Sequence, residues 1–193
     1  DGNRLAFVDR SSVAIDIYDL KTDKIVQVDS TAGVSGALSP DGTQLIYPDL
    51  VADHSGSGAM LNKLRLFTID TGEFISLSDD AAPTDDQRAQ WSPDGKQVAI
   101  ARKDGGSLVG GLQVVLVDLA TNQTKSLTDD PRYSNLAFWW DPTGTQLVIQ
   151  RFPELDANLQ PDADALPEIW TLDVASGEPI KVADNAFLPR WVP

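Results

Sequence analysis

Three observations predict an all-β fold, a β-propeller of four-stranded antiparallel blades with four blade repeats in 193 residues. A Pro/Gly turn motif recurs along the chain. A second, mostly aspartate-led turn follows each copy of the first. No segment carries a sustained 3.6-residue apolar period with helix caps. Four short strands per period, repeated at this spacing, are the sequence signature of propeller blades. A sandwich would not repeat its turn chemistry in register.

The first turn motif is Ser39-Pro40-Asp41-Gly42 followed by Thr43 to Tyr47, and again Ser92-Pro93-Asp94-Gly95 followed by Lys96 to Ile100. Asp141-Pro142-Thr143-Gly144 with Thr145 to Ile149 is a third copy, and Asp1-Gly2 with Asn3 to Phe7 is a fourth without its first two residues. Gly2, Gly42, Gly95 and Gly144 are thus spaced by 40, 53 and 49 residues. Proline presets φ for a turn, aspartate bonds its own backbone, and glycine supplies positive φ. Each glycine opens a half-buried strand.

The second motif is Ile17-Tyr18-Asp19-Leu20, Val117-Asp118-Leu119 and Leu172-Asp173-Val174, with Ile69-Asp70-Thr71-Gly72 as a shorter version. It joins strand-like runs such as Leu64 to Ile69 and Phe74 to Leu77, which makes hairpins. Each period therefore holds four strands. Strand A ends at the Pro motif (Ala89 to Trp91), strand B follows the glycine (Gln97 to Ala101), strand C precedes the second turn (Leu112 to Leu119), and strand D ends near Leu77, Leu127 or Val182. Blade repeats begin near residues 1, 34, 87 and 134. The segment 187–193, ending Arg190-Trp191-Val192-Pro193, reads as a strand A that completes the first blade or closes the ring.

The pattern Trp91-Ser92-Pro93-Asp94-Gly95, two variable residues and an apolar strand, with its altered copy from Trp140 to Ile149, resembles the WD-like repeat of TolB-type propellers. It is similar also to the propeller domains attached to prolyl-oligopeptidase and dipeptidyl-peptidase enzymes. The resemblance covers essentially the whole chain. Leu38 departs from it by replacing the tryptophan, and Asp141 with Thr143 departs by replacing Ser and Asp. The resemblance implies a bacterial, extracytoplasmic protein, either a closed four-bladed ring or part of a six- to eight-bladed ring. Family members often close the ring by mixing strands from both termini.

Composition narrows the functions. The net charge of −14 argues against nucleic acid, whose phosphates need a basic surface. No apolar run approaches the ~20 residues of a membrane span. Without cysteine, disulfides and thiolate zinc sites are excluded. The Gly-x-Ser-x-Gly elbow of a serine hydrolase is matched by neither Gly33-Val34-Ser35-Gly36 nor Gly56-Ser57-Gly58, and His54 is the only histidine. The expectation is a chain that is not an enzyme and carries no cofactor.

Candidate site residues fall outside the repeated turns. In an antiparallel blade the A–B and C–D turns share one end, and the B–C and D–A loops share the other. The long segments 50–62, 78–88, 103–111 and 152–167 all belong to the second end. There lie Asp29, Asp49, Asp53, Asp79, Asp80, Asp85, Asp86, Asp104, Asp129, Asp130, Glu154, Asp156, Asp162, Asp164 and Asp184, against Arg88, Lys103, Arg132 and Arg151. Function tends to sit on such loops over a rigid scaffold. The binding candidates are Asp53, His54, Trp139, Arg151, Asp156, Asp162 and Asp164. The alternating Asp156, Asp162 and Asp164 also offer oxygen ligands of the kind Ca²⁺ takes, although the full calcium-loop pattern is missing. Trp91, Trp140, Trp191, Gly42, Gly95 and Gly144 recur with the repeat and read as packing and turn residues.

The function expected is a non-catalytic binding propeller engaging a protein or peptide partner through an acidic long-loop face. The alternative is the accessory, substrate-gating propeller of a larger serine peptidase whose catalytic domain lies elsewhere. A sugar-binding or small-molecule propeller is the third class.

Overall fold

The computed structural model describes residues 2–54, 58–104 and 111–192 and contains strands but no helix among them. β1 (Arg4–Asp9), β2 (Ala14–Asp19) and β3 (Lys24–Asp29) form a three-stranded sheet. β4 (Ala37–Leu38), β5 (Gln44–Ala52), β6 (Met60–Thr68) and β7 (Glu73–Ser76) form a four-stranded sheet in sequence order. So do β8 (Thr84–Trp91), β9 (Gln97–Asp104), β10 (Gln113–Asp118) and β11 (Thr124–Ser126). The last sheet is β12 (Tyr133–Trp140), β13 (Gln146–Pro153), β14 (Glu168–Asp173) and β15 (Pro179–Asp184). All four are antiparallel meanders in the expected A-B-C-D order, the first showing only B, C and D among the described residues.

Two compact units divide the chain, Asp1–Trp91 and Ser92–Pro193. The core of the first gathers Ile15, Ile17, Val28, Leu45, Tyr47, Phe67 and Ile69. The core of the second gathers Ala99, Ala101, Val114, Leu116, Phe138, Leu147, Ile149 and Leu172, with Trp140 packed against it. Strands B and C supply most of both. Their central residues, such as Val98 to Ala101 and Val114 to Val117, are buried on both faces, so they read as apolar runs rather than as alternation. Strand D is the exposed outer edge, and in β7 and β11 every residue faces solvent.

The turns obey the repeat. Gly42, Gly95 and Gly144 have φ of 74°, 70° and 74°, values that a side chain disfavours. At the first A–B turn the Gly42 amide donates to Ser39 O, the Ser39 hydroxyl donates to Asp41, and Ser39 Oγ accepts from the Gln44 amide. The Ser92/Asp94 turn repeats every bond. Where Asp141 and Thr143 replace serine and aspartate the donor and acceptor trade places. Thr143 Oγ1 donates to Asp141, whose carboxylate takes the Gln146 amide. At the C–D turns Asp19 and Asp118 each accept two backbone amides, and Asp173 accepts the amide and the hydroxyl of Ser176. In the second sheet Thr68 holds the equivalent place, and Asp70, grouped with those aspartates by sequence, pairs with Arg4 instead.

Two expectations need correcting. Two of the long loops, 50–62 and 78–88, are shorter than the sequence reading made them, because β5 and β6 continue as a paired ribbon through Leu50↔Asn62, Val51↔Leu61 and Ala52↔Met60, and β8 already begins at Thr84, while most of the segment 103–111 lies outside the described residues. Residues 187–192, expected as a strand A, form none. Pro189 has no amide to donate, Leu188 lies at a φ of 49°, and the Leu188 amide is taken by Gln150 Oε1. Trp191 nevertheless keeps the repeat's register. Its indole donates to Trp139 O at 3.1 Å, as Trp91 donates to Ala37 O at 2.9 Å one repeat position away.

Candidate functional site

The second unit carries the longest B–C connection. Residues 154–167 form a small hairpin, closed by the Leu155–Pro161 bridge and by the Asp162 amide on Glu154 O. Asp156 accepts the amides of Asn158 and Gln160, and Asp162 accepts that of Asp164. Those bonds hold the Asp156 carboxyl below the usual carboxylate range, the Gln160 amide first. The loop aspartates therefore shape the hairpin. Among the described residues no three His, Cys, Asp or Glu side chains gather as a metal site. Leu159 and Leu166 of the same hairpin stand exposed.

Beside the base of this hairpin a cavity of about 330 Å³ is lined by Thr128, Asp129, Asp130, Arg132, Tyr133, Arg151 and Trp170, among others. Arg151 is 5% exposed. The reason lies in strand alternation. Leu147, Ile149 and Arg151 share one face of β13, and the first two are core. The cation is held in the corner of two nearly perpendicular rings. Its Cζ lies 4.1 Å from the Tyr133 centroid and 4.9 Å from that of Trp170, with the rings 6.4 Å apart at 70°. Such contacts stabilise a desolvated cation.

Two of the surrounding carboxylates are already engaged, and Asp129, the third in the lining, makes no ion pair with Arg151. Glu168, directly across from Arg151 on β14, accepts from Lys181 Nζ and from the Trp170 indole, both at 2.7 Å. Asp130 is bound in a fork by Arg132 at 2.6 and 3.0 Å, which lowers its proton affinity. Arg151 Nε, buried, has no hydrogen-bond partner, and neither does Oδ1 of Asn135, which faces Arg151 across the β12–β13 ladder. Burial pushes the guanidinium down from its ordinary pKa, while Tyr133, Asp130 and Glu168 oppose that shift. An arginine remains charged regardless.

The other sequence candidates scatter. Asp53 and His54 belong to the first unit, where the Asp53 amide closes its loop on Ala59 O and His54 is exposed. Trp139 is half-buried in the second unit, with the Arg190 guanidinium 4.1 Å above its ring. Of the structural tryptophans, Trp91 is buried, whereas Trp140 and Trp191 are half-buried. Many loop-end acids are not free charges. Asp80 forks onto Arg65, Asp85 takes the Asn62 amide, and Asp86 is buried against Ser78. Tyr133, Trp170, Glu168 and Asn135 were not anticipated. Arg151 was named without its surroundings, although an arginine in phase with two core residues signals a buried cation.

A second cavity of about 420 Å³ lies by the tight turns, lined by Lys125, Gly144, Thr145 and Asp173 among others. Its lysine is committed to the carbonyls of Val174 and Ala175. Among the described residues no helix is long and apolar enough to cross a membrane.

No protein-family profile and no curated protein matches the chain. Solved structures do. A putative TolB from Agrobacterium tumefaciens superposes with a TM-score of 0.68 at 17% identity, over 95% of this chain and 62% of that one. Dipeptidyl peptidase 4 of Porphyromonas gingivalis gives 0.60 at 14% identity, over 95% and 31%. The β-propeller domain of the Trilobed protease from Pyrococcus furiosus, described as having an open velcro topology, gives 0.50 at 18% identity, over 73% and 40%. The chain spans less than two thirds of each of these proteins. With its A-B-C-D meanders, its repeated turn chemistry and these neighbours, the chain has the fold of a TolB-like β-propeller, similar to the propeller domains of peptidases.

Proposed function

We propose that this chain is a non-catalytic binding module that holds a protein or peptide partner on its B–C and D–A loops, in a bacterial extracytoplasmic compartment. The observation that carries the reading is a division of labour within each unit. The A–B and C–D turns consume their own Ser, Thr and Asp side chains in closing backbone bonds. The other ends bear the length variation and, among the described residues, the hairpin 154–167, with Leu159 and Leu166 exposed near Asp162 and Asp164 in the chain. Apolar anchors rimmed by charge are the usual make-up of a contact surface. The sole histidine is exposed on a loop of the first unit, which supports a role without acid–base chemistry. The compartment and the protein partner are carried by likeness to TolB.

The test is a photo-cross-linking side chain at Leu159 in the native host. A discrete adduct, lost in an L159S/L166S chain that still folds, is expected. Cross-linking that is diffuse, or unchanged by those substitutions, would overturn the reading. The substrate-gating propeller of a larger peptidase is the second reading, favoured by the dipeptidyl peptidase superposition over 95% of this chain. A Ser-elbow domain encoded on the same polypeptide would establish it in place of the first.

A further inference from the structure

We infer that the cavity beside β12 and β13 is a receptor for a small carboxylate-bearing ligand, with the Arg151 guanidinium as its binding group. This rests on the binding-module reading and supplies it with a ligand chemistry. The observations concern what Arg151 lacks. It is nine-tenths buried, it lines a cavity large enough for a small ligand, and its buried Nε donates to nothing. A buried charge is ordinarily paired. Here Glu168 is taken by Lys181 and Trp170 and Asp130 by Arg132, while neither Asp129 of the lining nor the unpartnered Oδ1 of Asn135 bonds to Arg151. The rings of Tyr133 and Trp170 stabilise the cation through their faces, which leaves its in-plane N–H groups unsatisfied by them. A guanidinium carries five N–H donors in a planar fork that matches a carboxylate.

The charge count selects the ligand class. Within the lining Arg132 is neutralised by Asp130, Asp129 adds one negative charge, and Arg151 is the one cation without an ion pair among the described lining residues. The lining as a whole is neutral, so a ligand with a single negative charge and two oxygens in one plane for the Arg151 fork suits it better than a more highly charged one. A phosphate dianion would need a second free cation. The carboxylate could come from a peptide terminus or from an acidic sugar, and the experiment separates the two.

The chain is titrated with N-acetylglycine and its amide, and separately with glucuronate and glucose, while the arginine Nε–H resonances are followed by NMR. One resonance, identified by its absence in R151K, is expected to shift saturably with an acid and not with its neutral counterpart. R151K keeps the charge but loses the fork, and should bind at least tenfold more weakly. A response to N-acetylglycine alone marks a peptide terminus, and to glucuronate alone an acidic sugar. Either supports the inference. No saturable shift with either acid, equal shifts with the neutral compounds, or an equal response to chloride would overturn it. Should R151K fail to fold, the wild-type titration decides, with the resonance assigned through its covalent connectivity. Failure here with the Leu159 adduct intact removes only the carboxylate receptor. Loss of the adduct with this titration positive removes only the loop surface.

Discussion

At Gly36 the backbone has a φ of 75°, and a Cβ would run into the carbonyl of Ile46 and the side chain of Tyr47. At Gly72 φ is 72° and the space is open. The comparison separates two costs. Gly72→Ala should cost about 1 kcal/mol, the conformational part alone. Gly36→Ala should cost more than about 2 kcal/mol, because the backbone neighbour must also move. Urea midpoints of the two variants check the ordering, and equal losses would mean that the close approach is not real. The exchanged A–B turn offers a second residue-scale test. S92D alone sets two carboxylates together and removes the hydroxyl that serves Asp94, so it should lose about 1 kcal/mol or more. Adding D94T recreates the Asp141/Thr143 arrangement and should recover most of that loss, a coupling measurable by a double-mutant cycle. These turns were legible in the sequence because their chemistry is local. Proline, aspartate and glycine act on backbone within five residues of themselves.

At the scale of the element, the start of strand C braces the loop that leads to the next strand A. Lys63, fully buried, donates to the carbonyls of Ala82 and Thr84, both at 2.7 Å. In the next sheet Gln113 occupies the same place and donates to the carbonyls of Asp130 and Tyr133. K63M leaves two half-buried carbonyls without that donor and should cost about 1–3 kcal/mol. K63Q, copying the neighbouring sheet, should recover at least half of it. Thermal melts of the two variants settle the point, and equal losses would make the brace a matter of packing alone. None of this was legible. A buried lysine looks like a surface residue until the register Asp49↔Lys63 places it on an inward row. The pocket was hidden for the same reason. Tyr133, Arg151 and Trp170 come from three strands, and only the ladder Asn135↔Arg151↔Glu168 brings them together. Loop lengths were misjudged because the paired segments Leu50 to Ala52 and Met60 to Leu61 flank a stretch of ordinary loop composition in the sequence.

Over the whole molecule two charge effects oppose each other as pH falls. Asp41, through the Ser39 hydroxyl first, and Asp19, through the Thr22 amide first, are held at about 2 against an ordinary 3.8. Asp94, Asp118, Asp141 and Asp173 are lowered as well. A carboxyl whose folded pKa lies below its unfolded one adds stability that is fully present above about 3.8 and is lost as pH falls toward 2. Against this, the net charge of −14 at pH 7 is a self-repulsion that fades toward the pI near 4.2. Tm should therefore hold or rise from pH 7 to about 4.5 and fall steeply below about 3.8. A steady decline from neutrality would mean that the turn aspartates contribute little. Added salt at pH 7 should mimic the first half of that curve, since exposed charges are screened over about 8–10 Å.

The corner of rings around Arg151 also makes the cavity observable by light. Trp170 is one of five tryptophans, and its indole is both bonded to Glu168 and in contact with the guanidinium. An anion arriving at Arg151 changes the field on that one ring, so the emission of the chain should shift in colour or yield as the cavity fills. W170F should silence the change while leaving the other four indoles as an internal standard. The pocket thus carries its own optical reporter, and a fluorimeter can survey acids by the dozen before any is studied in detail.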